Sequence, residues 1–515
     1  MQHVTRRGAA RHMLISDGVR ASAGRTPDKV AIRESGRELT YARLVDRIGR
    51  VANLVHVGLG LRHGERAAVL SANCLEYIEI VCGMAEAGVA AATIGPAAAP
   101  PEIRFICEDS GARVMFVSAA LEEAARAAAP PSVERFVVIG PAYEALLAHA
   151  ASGPCPVDVS EEDIFSVPYT SGATGRPKGV LLSHRGRVLS AFAMAAEHGC
   201  YTNRDRAVAT TPMFHGAGFL MAITPIWFGG QVEILPRFDV ESLMGTIASN
   251  QATSAYIVPA HFAALFALPD SKRAQWDMRS MKAAISGTAP LPQALKERIV
   301  GYFGEGVLYE RYGTTETSIA TSLGPQDQLR KIACVGLPYP ATQVRVCDEA
   351  GNEVPRGEAG ELWVCSPYQF SGYLNMPEAT AAGRRGDWFV TGDIARQDEE
   401  GYVYLVDRKN DMVISGGENI YPREVEEVLL GHPAVAECGV TGAPHPYWGE
   451  AVTAFVVLRP GMQVAAEELG ALCRDRLSRY KVPKEIRFVA ALPRNSMGKV
   501  LRRELRASLA AEARG

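Results

Sequence analysis

Apolar and polar positions alternate along the first 160 residues in a recurring order. Positions 66–70 form a short apolar run that predicts a strand. Positions 73–86 follow with helical periodicity, and Asn73 is placed to cap that helix. Positions 89–94 read as strand, 100–109 as helix and 113–117 as strand, while the alanine-rich 118–131 predicts a solvent-side helix and its exit. Such alternation favours a mostly parallel sheet with covering helices, because parallel neighbours need a crossover between them. From Asp163 the punctuation changes. A strand-like 164–170 runs into a Gly/Ser/Thr loop and on to an apolar 180–182. The α/β pattern then continues to about residue 400. At 407–411 the chain reads DRKND, charged and turn-rich, and this marks a domain boundary: 1–407 and 408–515. Beyond it come a predicted helix at 422–430, a strand at 452–458, a helix at 465–477 and a basic tail. No internal repeat is visible.

Composition narrows the class. In 515 residues there are 54 Lys+Arg against 57 Asp+Glu, a formal net charge of −3, with 47% apolar and 22% charged residues. These values suit a large globular core and exclude a disordered or collagen-like chain. The balance of charge speaks against nucleic acid as a partner. The ten cysteines show no C-x-x-C spacing and read as buried free thiols of a reducing compartment. The N-terminal stretch carries Arg6, Arg7 and Arg11 without the apolar core of a signal peptide; its composition alone would suit a transit peptide. The uncharged 216–232 is interrupted by Pro225 and Gly229 and reads as core, so no integral membrane segment is expected and the expected location is the cytoplasm.

The most informative stretch is YTSGATGRPKG at 169–179. Gly172, Gly175 and Gly179 permit tight turns that let amide N–H groups converge on an anion. Thr170, Ser171 and Thr174 add hydroxyls, and Lys178 adds a mobile positive charge. It is not a Walker A loop, because Pro177 stands where the second glycine of G-x-x-x-x-G-K must be. A P-loop kinase or ATPase therefore loses its main warrant.

This loop resembles the phosphate loop of the adenylate-forming superfamily, which includes acyl- and aryl-CoA synthetases, peptide-synthetase adenylation domains and firefly-type luciferases. Further motifs follow in that family's order over more than 300 residues. The resemblance implies an α/β protein: a large N-terminal domain of mostly parallel sheets with covering helices, and a small mobile α+β C-terminal domain. It implies ATP and Mg²⁺, and coenzyme A as co-substrate.

TPMFHG at 211–216 resembles the segment lining the acyl pocket, with His215 beside the substrate carboxylate. Amino-acid-activating relatives usually carry Asp there, so His215 argues against an amino acid. SGTAP at 286–290 and YERYGTTET at 309–317 resemble the adenine site. Tyr312 would stack on the purine, with Gly287 and Thr288 on its other face and Gly313 beside it. Thr288 departs from the family's usual Gly or Ala. Thr315 would approach the phosphate, and Glu316 would hold Mg²⁺ with ATP oxygens. In WFVTGD at 388–393, Asp393 would accept both ribose hydroxyls, and Arg408 would add a second ribose contact. Asn410 falls at the hinge, where the family usually has Asp or Lys. Gly416 and Gly417 would line the pantetheine tunnel. In PRNSMGK at 493–499, Lys499 would bridge the carboxylate and α-phosphate. With Lys499, the expected catalytic set is Glu316, His215, Thr170 and Lys178. A lysine acetyltransferase acting on Lys499 would remove its charge and provide control.

The resemblance thus implies a two-step ligase that forms an acyl-adenylate and then an acyl-CoA thioester. The partners are a small carboxylic acid, ATP and CoA. Expected pocket residues are His215, Ala217, Gly218, Tyr256, Ala264 and Arg311. Arg311 either meets a distal carboxylate, as in malonyl-CoA-synthetase-like enzymes, or pairs with Glu310 or another acid. Those enzymes have a second pocket arginine where this chain has Ala264. A fatty or aromatic acid, with one distal polar group, is therefore preferred over a malonyl-type dicarboxylate. Loading of a carrier protein instead of CoA is the other alternative.

Overall fold

The computed structural model describes residues 13–171, 177–408, 411–415, 418–445, 447–494 and 500–512. Two large, mainly parallel sheets take up most of the first 340 residues, as the alternating pattern predicts. In the seven-stranded sheet, Arg66–Leu70 lies between Ala90–Ile94 and Val114–Ser118, all parallel, with Arg135–Ile139 at one edge. Ile164–Ser171 continues the parallel run beside Ala90–Ile94. It then turns back antiparallel as Pro177–Ser183, and Gly372–Tyr373 pairs with that strand at the other edge. The buried runs carry almost no polar side chain (Ala90–Ile94 is buried at every position), as expected of strands covered on both faces.

The nine-stranded sheet is centred on parallel strands Arg206–Ala209, Ser254–Tyr256, Ala283–Ser286 and Leu308–Tyr312. A five-stranded antiparallel sheet runs from Gln343–Cys347 to Val403–Arg408. A further mixed sheet, built on the long antiparallel pair Val435–His445 and Gly449–Leu458, is flanked by helices Pro422–Leu430, Ala466–Arg476 and Arg502–Glu512. Among the described residues, no helix is long and apolar enough to cross a membrane.

One local expectation is corrected. Helix Leu75–Glu86 begins after Cys74, and Asn73 does not cap it. Asn73 is buried and spans to the next sheet instead: its amide donates to Thr211 O at 3.1 Å, and its Oδ1 accepts from Met213 N at 2.8 Å. A buried carboxamide must satisfy both ends, and the 210–213 backbone does so where a helix start could not.

Candidate active site

A cleft of about 720 Å³ opens where the two large sheets meet the antiparallel one. Its phosphate-loop side is the hairpin Ile164–Ser171/Pro177–Ser183, which sets Thr170 opposite Lys178 at the mouth of the turn. Both residues line the cleft. Gly172, Thr174 and Gly175 lie outside the described residues, and of Ser171 only the backbone is described. The Lys178 ammonium sits 4.8 Å from the centre of the Tyr373 ring. Tyr373 in turn donates from its hydroxyl to Glu316 Oε1 at 2.8 Å. Burial and the neighbouring Glu316 charge push the Tyr373 phenol well above its ordinary value, so it remains a donor.

Glu316 and Thr315 project from the tight turn that follows Leu308–Tyr312. Thr314 and Thr317 brace that turn with reciprocal backbone-to-hydroxyl bonds of 3.0 and 3.2 Å. Gly313 is required there, because a Cβ would stand 1.8 Å from Ser318 O. The backbone oxygen of Glu316 also accepts from Phe370 N at 2.8 Å. The Tyr373 hydroxyl thus holds the carboxylate, and the Phe370 N–H holds the backbone that carries it. A carboxylate in this position suits Mg²⁺, which keeps waters and phosphate oxygens for most of its shell.

Next along the cleft, Tyr312 donates from its hydroxyl to Asp393 Oδ2. This brings the expected purine and ribose residues into direct contact. Asp393 is buried and lies opposite Arg408 in the pairing of Trp388–Gln397 with Val403–Arg408; the Arg408 side chain is outside the description. Thr288 lines the cleft with φ +71°, a left-handed conformation that a β-branched residue enters at a cost of about 1–3 kcal/mol. This strain explains why Gly suits the position. Gly287 does not line the cleft: it lies against Arg311 O and Tyr256 Oη, each 2.9 Å from where its Cβ would be.

The acyl side begins at His215, which precedes helix Gly216–Trp227 and stacks, tilted, on Phe214 with ring centres 4.0 Å apart. Burial lowers the imidazole to about 4, so it is neutral at pH 7 and presents one N–H. Ala217, Tyr256 and Arg311 line the same cleft, together with Leu220 and Ile319. Two expected pocket residues do not. A Cβ on Gly218 would stand 2.1 Å from Pro212 O, so this glycine serves close backbone packing. Ala264 is half-buried on helix Pro259–Ala267 and is absent from the lining.

Arg311 does not pair with Glu310. Glu310 forms a buried ion pair with Lys296 of helix Gln293–Phe303. Successive side chains of strand Leu308–Tyr312 point to opposite faces, and this sends Arg311 to the acyl side, its guanidinium 4.5 Å from the Tyr256 ring centre. Asn410, Gly416, Gly417 and Lys499 lie outside the described residues. Among the cleft residues that the motif reading did not single out are Tyr373 and Arg187.

Residues 19–374 match the AMP-binding enzyme family, and residues 424–499 match the AMP-binding enzyme C-terminal domain. A feruloyl-CoA synthase of Amycolatopsis is 36% identical over 93% of this chain and 96% of its own. The fatty acid–[acyl-carrier-protein] ligase ScoC of Streptomyces coeruleorubidus is 34% identical, over 93% of each chain. The crystal structure of ATP-bound MatB from Rhodopseudomonas palustris superposes with a TM-score of 0.89 at 31% identity, covering 96% of this chain and 99% of that one. With both of its parts matched in order along one chain, this protein belongs to the AMP-binding enzyme family, in its adenylate-forming acyl-CoA synthetase branch.

Proposed function

We propose that this enzyme is an ATP-dependent carboxylate–CoA ligase. The observation that carries the proposal is the continuity of one cleft from Thr170 and Lys178, past Glu316 and Tyr312, to the neutral His215 and an acyl wall. A carboxylate oxygen attacks the α-phosphorus of ATP, and the bond to the bridging oxygen breaks to release pyrophosphate. The CoA thiolate then attacks the acyl carbonyl carbon, and AMP leaves with its oxygen. The protein's part in the first step is to align two anions and offset their charge. Lys178 and the Thr170 hydroxyl serve the phosphates. Lys499 bridges the reacting carboxylate and α-phosphate, and the His215 N–H orients the carboxylate. Tyr312 stacks on the purine, while Asp393 and Arg408 hold the ribose. Glu316 would hold Mg²⁺, which would supply charge neutralisation on the phosphates. Division of the chain at 407/408, rotation about Asn410, and a thiol passage along Gly416 and Gly417 complete this reading. Its setting is the cytoplasm.

The acid is fatty or aromatic with a polar group at its far end. Leu220, Ile319 and Tyr256 give the wall its apolar share, and Arg311 gives the polar one. Carrier-protein loading is the second reading, favoured by the similarity to the acyl-carrier-protein ligase. Incubation with ATP, Mg²⁺, CoA and a pool of fatty, aryl and dicarboxylic acids decides between them by mass spectrometry. AMP together with an acyl-CoA is expected. Carboxylate-dependent pyrophosphate release without a thioester would favour the carrier protein, and neither product would refute the ligase.

A further inference from the structure

The turn that carries Thr315 and Glu316 ends at Ser318, and Ser318 is held from another element. Its φ is +60°, a left-handed conformation that favours glycine and that a serine keeps only where its surroundings impose it. Those surroundings come from helix His184–His198. Arg187 Nη1 donates to Ser318 Oγ at 3.2 Å, and Ser190 Oγ, three positions on along the same helix face, lies 3.0 Å from the same oxygen. Arg187 is 5% exposed and Ser190 1%. A guanidinium has donors and no acceptor, so Ser318 Oγ accepts from Arg187 and shares a proton with Ser190. Burial, and then the Arg311 charge, lower Arg187 to about 10, so it is still a cation at neutral pH. A charged donor makes the stronger kind of hydrogen bond.

The helix reaches the same turn by a second route. Its first turn packs on the backbone of 368–369, where a Cβ on Gly186 would stand 3.5 Å from Tyr368 O. The next residue, Phe370, donates its N–H to Glu316 O at 2.8 Å. The helix also continues directly from strand Pro177–Ser183, which carries Lys178. Strand and helix thus join the phosphate-side lysine to the far end of the Glu316 turn.

We infer that Arg187 is a positioning residue that acts through Ser318, with Ser190, to set the turn aiming Thr315 and Glu316 at the phosphates and Mg²⁺. The inference deepens the ligase reading and rests on the role it gives Glu316. Tyr373 grips the Glu316 carboxylate itself; Arg187 fixes the backbone two residues beyond it. Breaking this link should therefore weaken the use of Mg²⁺ before it weakens binding of the acid.

The test uses the full-length protein and two readouts across a Mg²⁺ titration. One is acid-dependent exchange of labelled pyrophosphate into ATP; the other is thermal stabilisation by ATP, which needs no turnover. Ser318→Gly keeps the left-handed backbone and removes only the hydroxyl. Arg187→Met, Ser318→Gly and Ser190→Ala should each raise half-saturating Mg²⁺ by about fivefold or more in both readouts. Ser190 does not line the cleft, so Ser190→Ala should leave KM for the acid unchanged. Arg187→Lys keeps a charged donor and should recover part of the loss. The double variant of Arg187→Met with Ser318→Gly should be no worse than the worse single one, because both remove the same contact. Losses that multiply in the double variant would place Arg187 on the substrate directly and overturn the inference, as would an ordinary Mg²⁺ dependence in Ser318→Gly. If Arg187→Met does not fold, Ser318→Gly and Ser190→Ala decide alone. If the unmodified protein shows no acid-dependent exchange, it is the ligase reading that fails; the inference then stands only if stabilisation by ATP requires Mg²⁺ and the variants raise that requirement. No Mg²⁺-dependent stabilisation overturns it.

Discussion

At the scale of single residues, Tyr373 ties three functional groups together. Its ring faces Lys178, its hydroxyl holds Glu316, and its backbone pairs with the strand that follows the phosphate loop. It is a positioning residue for the proposed metal carboxylate. Tyr373→Phe removes one hydrogen bond to a charged group, worth about 1.5–3 kcal/mol. kcat should fall about tenfold or more and half-saturating Mg²⁺ should rise, with KM for the acid unchanged. Steady-state kinetics across a Mg²⁺ titration check this, and an unchanged Mg²⁺ dependence would leave Tyr373 a packing residue. The motifs made Thr170, Lys178, Tyr312 and Glu316 readable as cleft residues, and Asp393 as their neighbour, because the spacing within each motif is local. Tyr373 and Arg187 were not readable in this way. Each acts through a partner far along the chain, 57 residues for Tyr373–Glu316 and 131 for Arg187–Ser318, and no local spacing encodes such a contact.

At the scale of elements, the regular apolar runs of the first sheet were legible because both faces are buried and the runs are short. Strand Val435–His445 was not, since Gly439, Gly442 and Pro444 interrupt its pattern. Side-chain roles at element ends were also hidden. Asn73 reads as a cap and is an inter-sheet bridge. His184 opens helix His184–His198, and its Nδ1 accepts from Ile15 N at 3.1 Å, so the ring docks the N-terminal segment only when unprotonated. Burial lowers His184 to about 4 from an ordinary 6.5. The unfolded chain thus takes up this proton first, and the contribution of His184 to stability, intact above 6.5, is lost as pH falls toward 4. The loss amounts to about 3 kcal/mol at pH 4. His184→Asn keeps an acceptor but cannot be protonated there. In denaturant titrations the variant should be the less stable protein at pH 7.5, and the gap should close as pH drops to 4. A constant gap would contradict the protonation account.

At the scale of the whole molecule, the cleft draws on all three sheets of the first four hundred residues, and a single cluster ties the last helix to the strand leaving them. Arg502, on helix Arg502–Glu512, bonds Asp407 Oδ1 at 3.2 Å, Asp411 Oδ2 at 3.1 Å and Glu426 Oε2 at 2.7 Å. Asp407 and Asp411 flank the expected hinge at Asn410, and Arg502 follows Lys499 by three positions. The cluster thus joins the strand end before the proposed hinge to the helix that follows the proposed adenylating lysine. The central claim is that an acyl-adenylate forms before CoA reacts. The most direct measurement is exchange of labelled pyrophosphate into ATP with CoA left out, using the acid that yields the most thioester. The account predicts exchange that requires both the acid and Mg²⁺ and proceeds without CoA. Exchange that begins only when CoA is added, or release of ADP and phosphate in place of AMP and pyrophosphate, would contradict it.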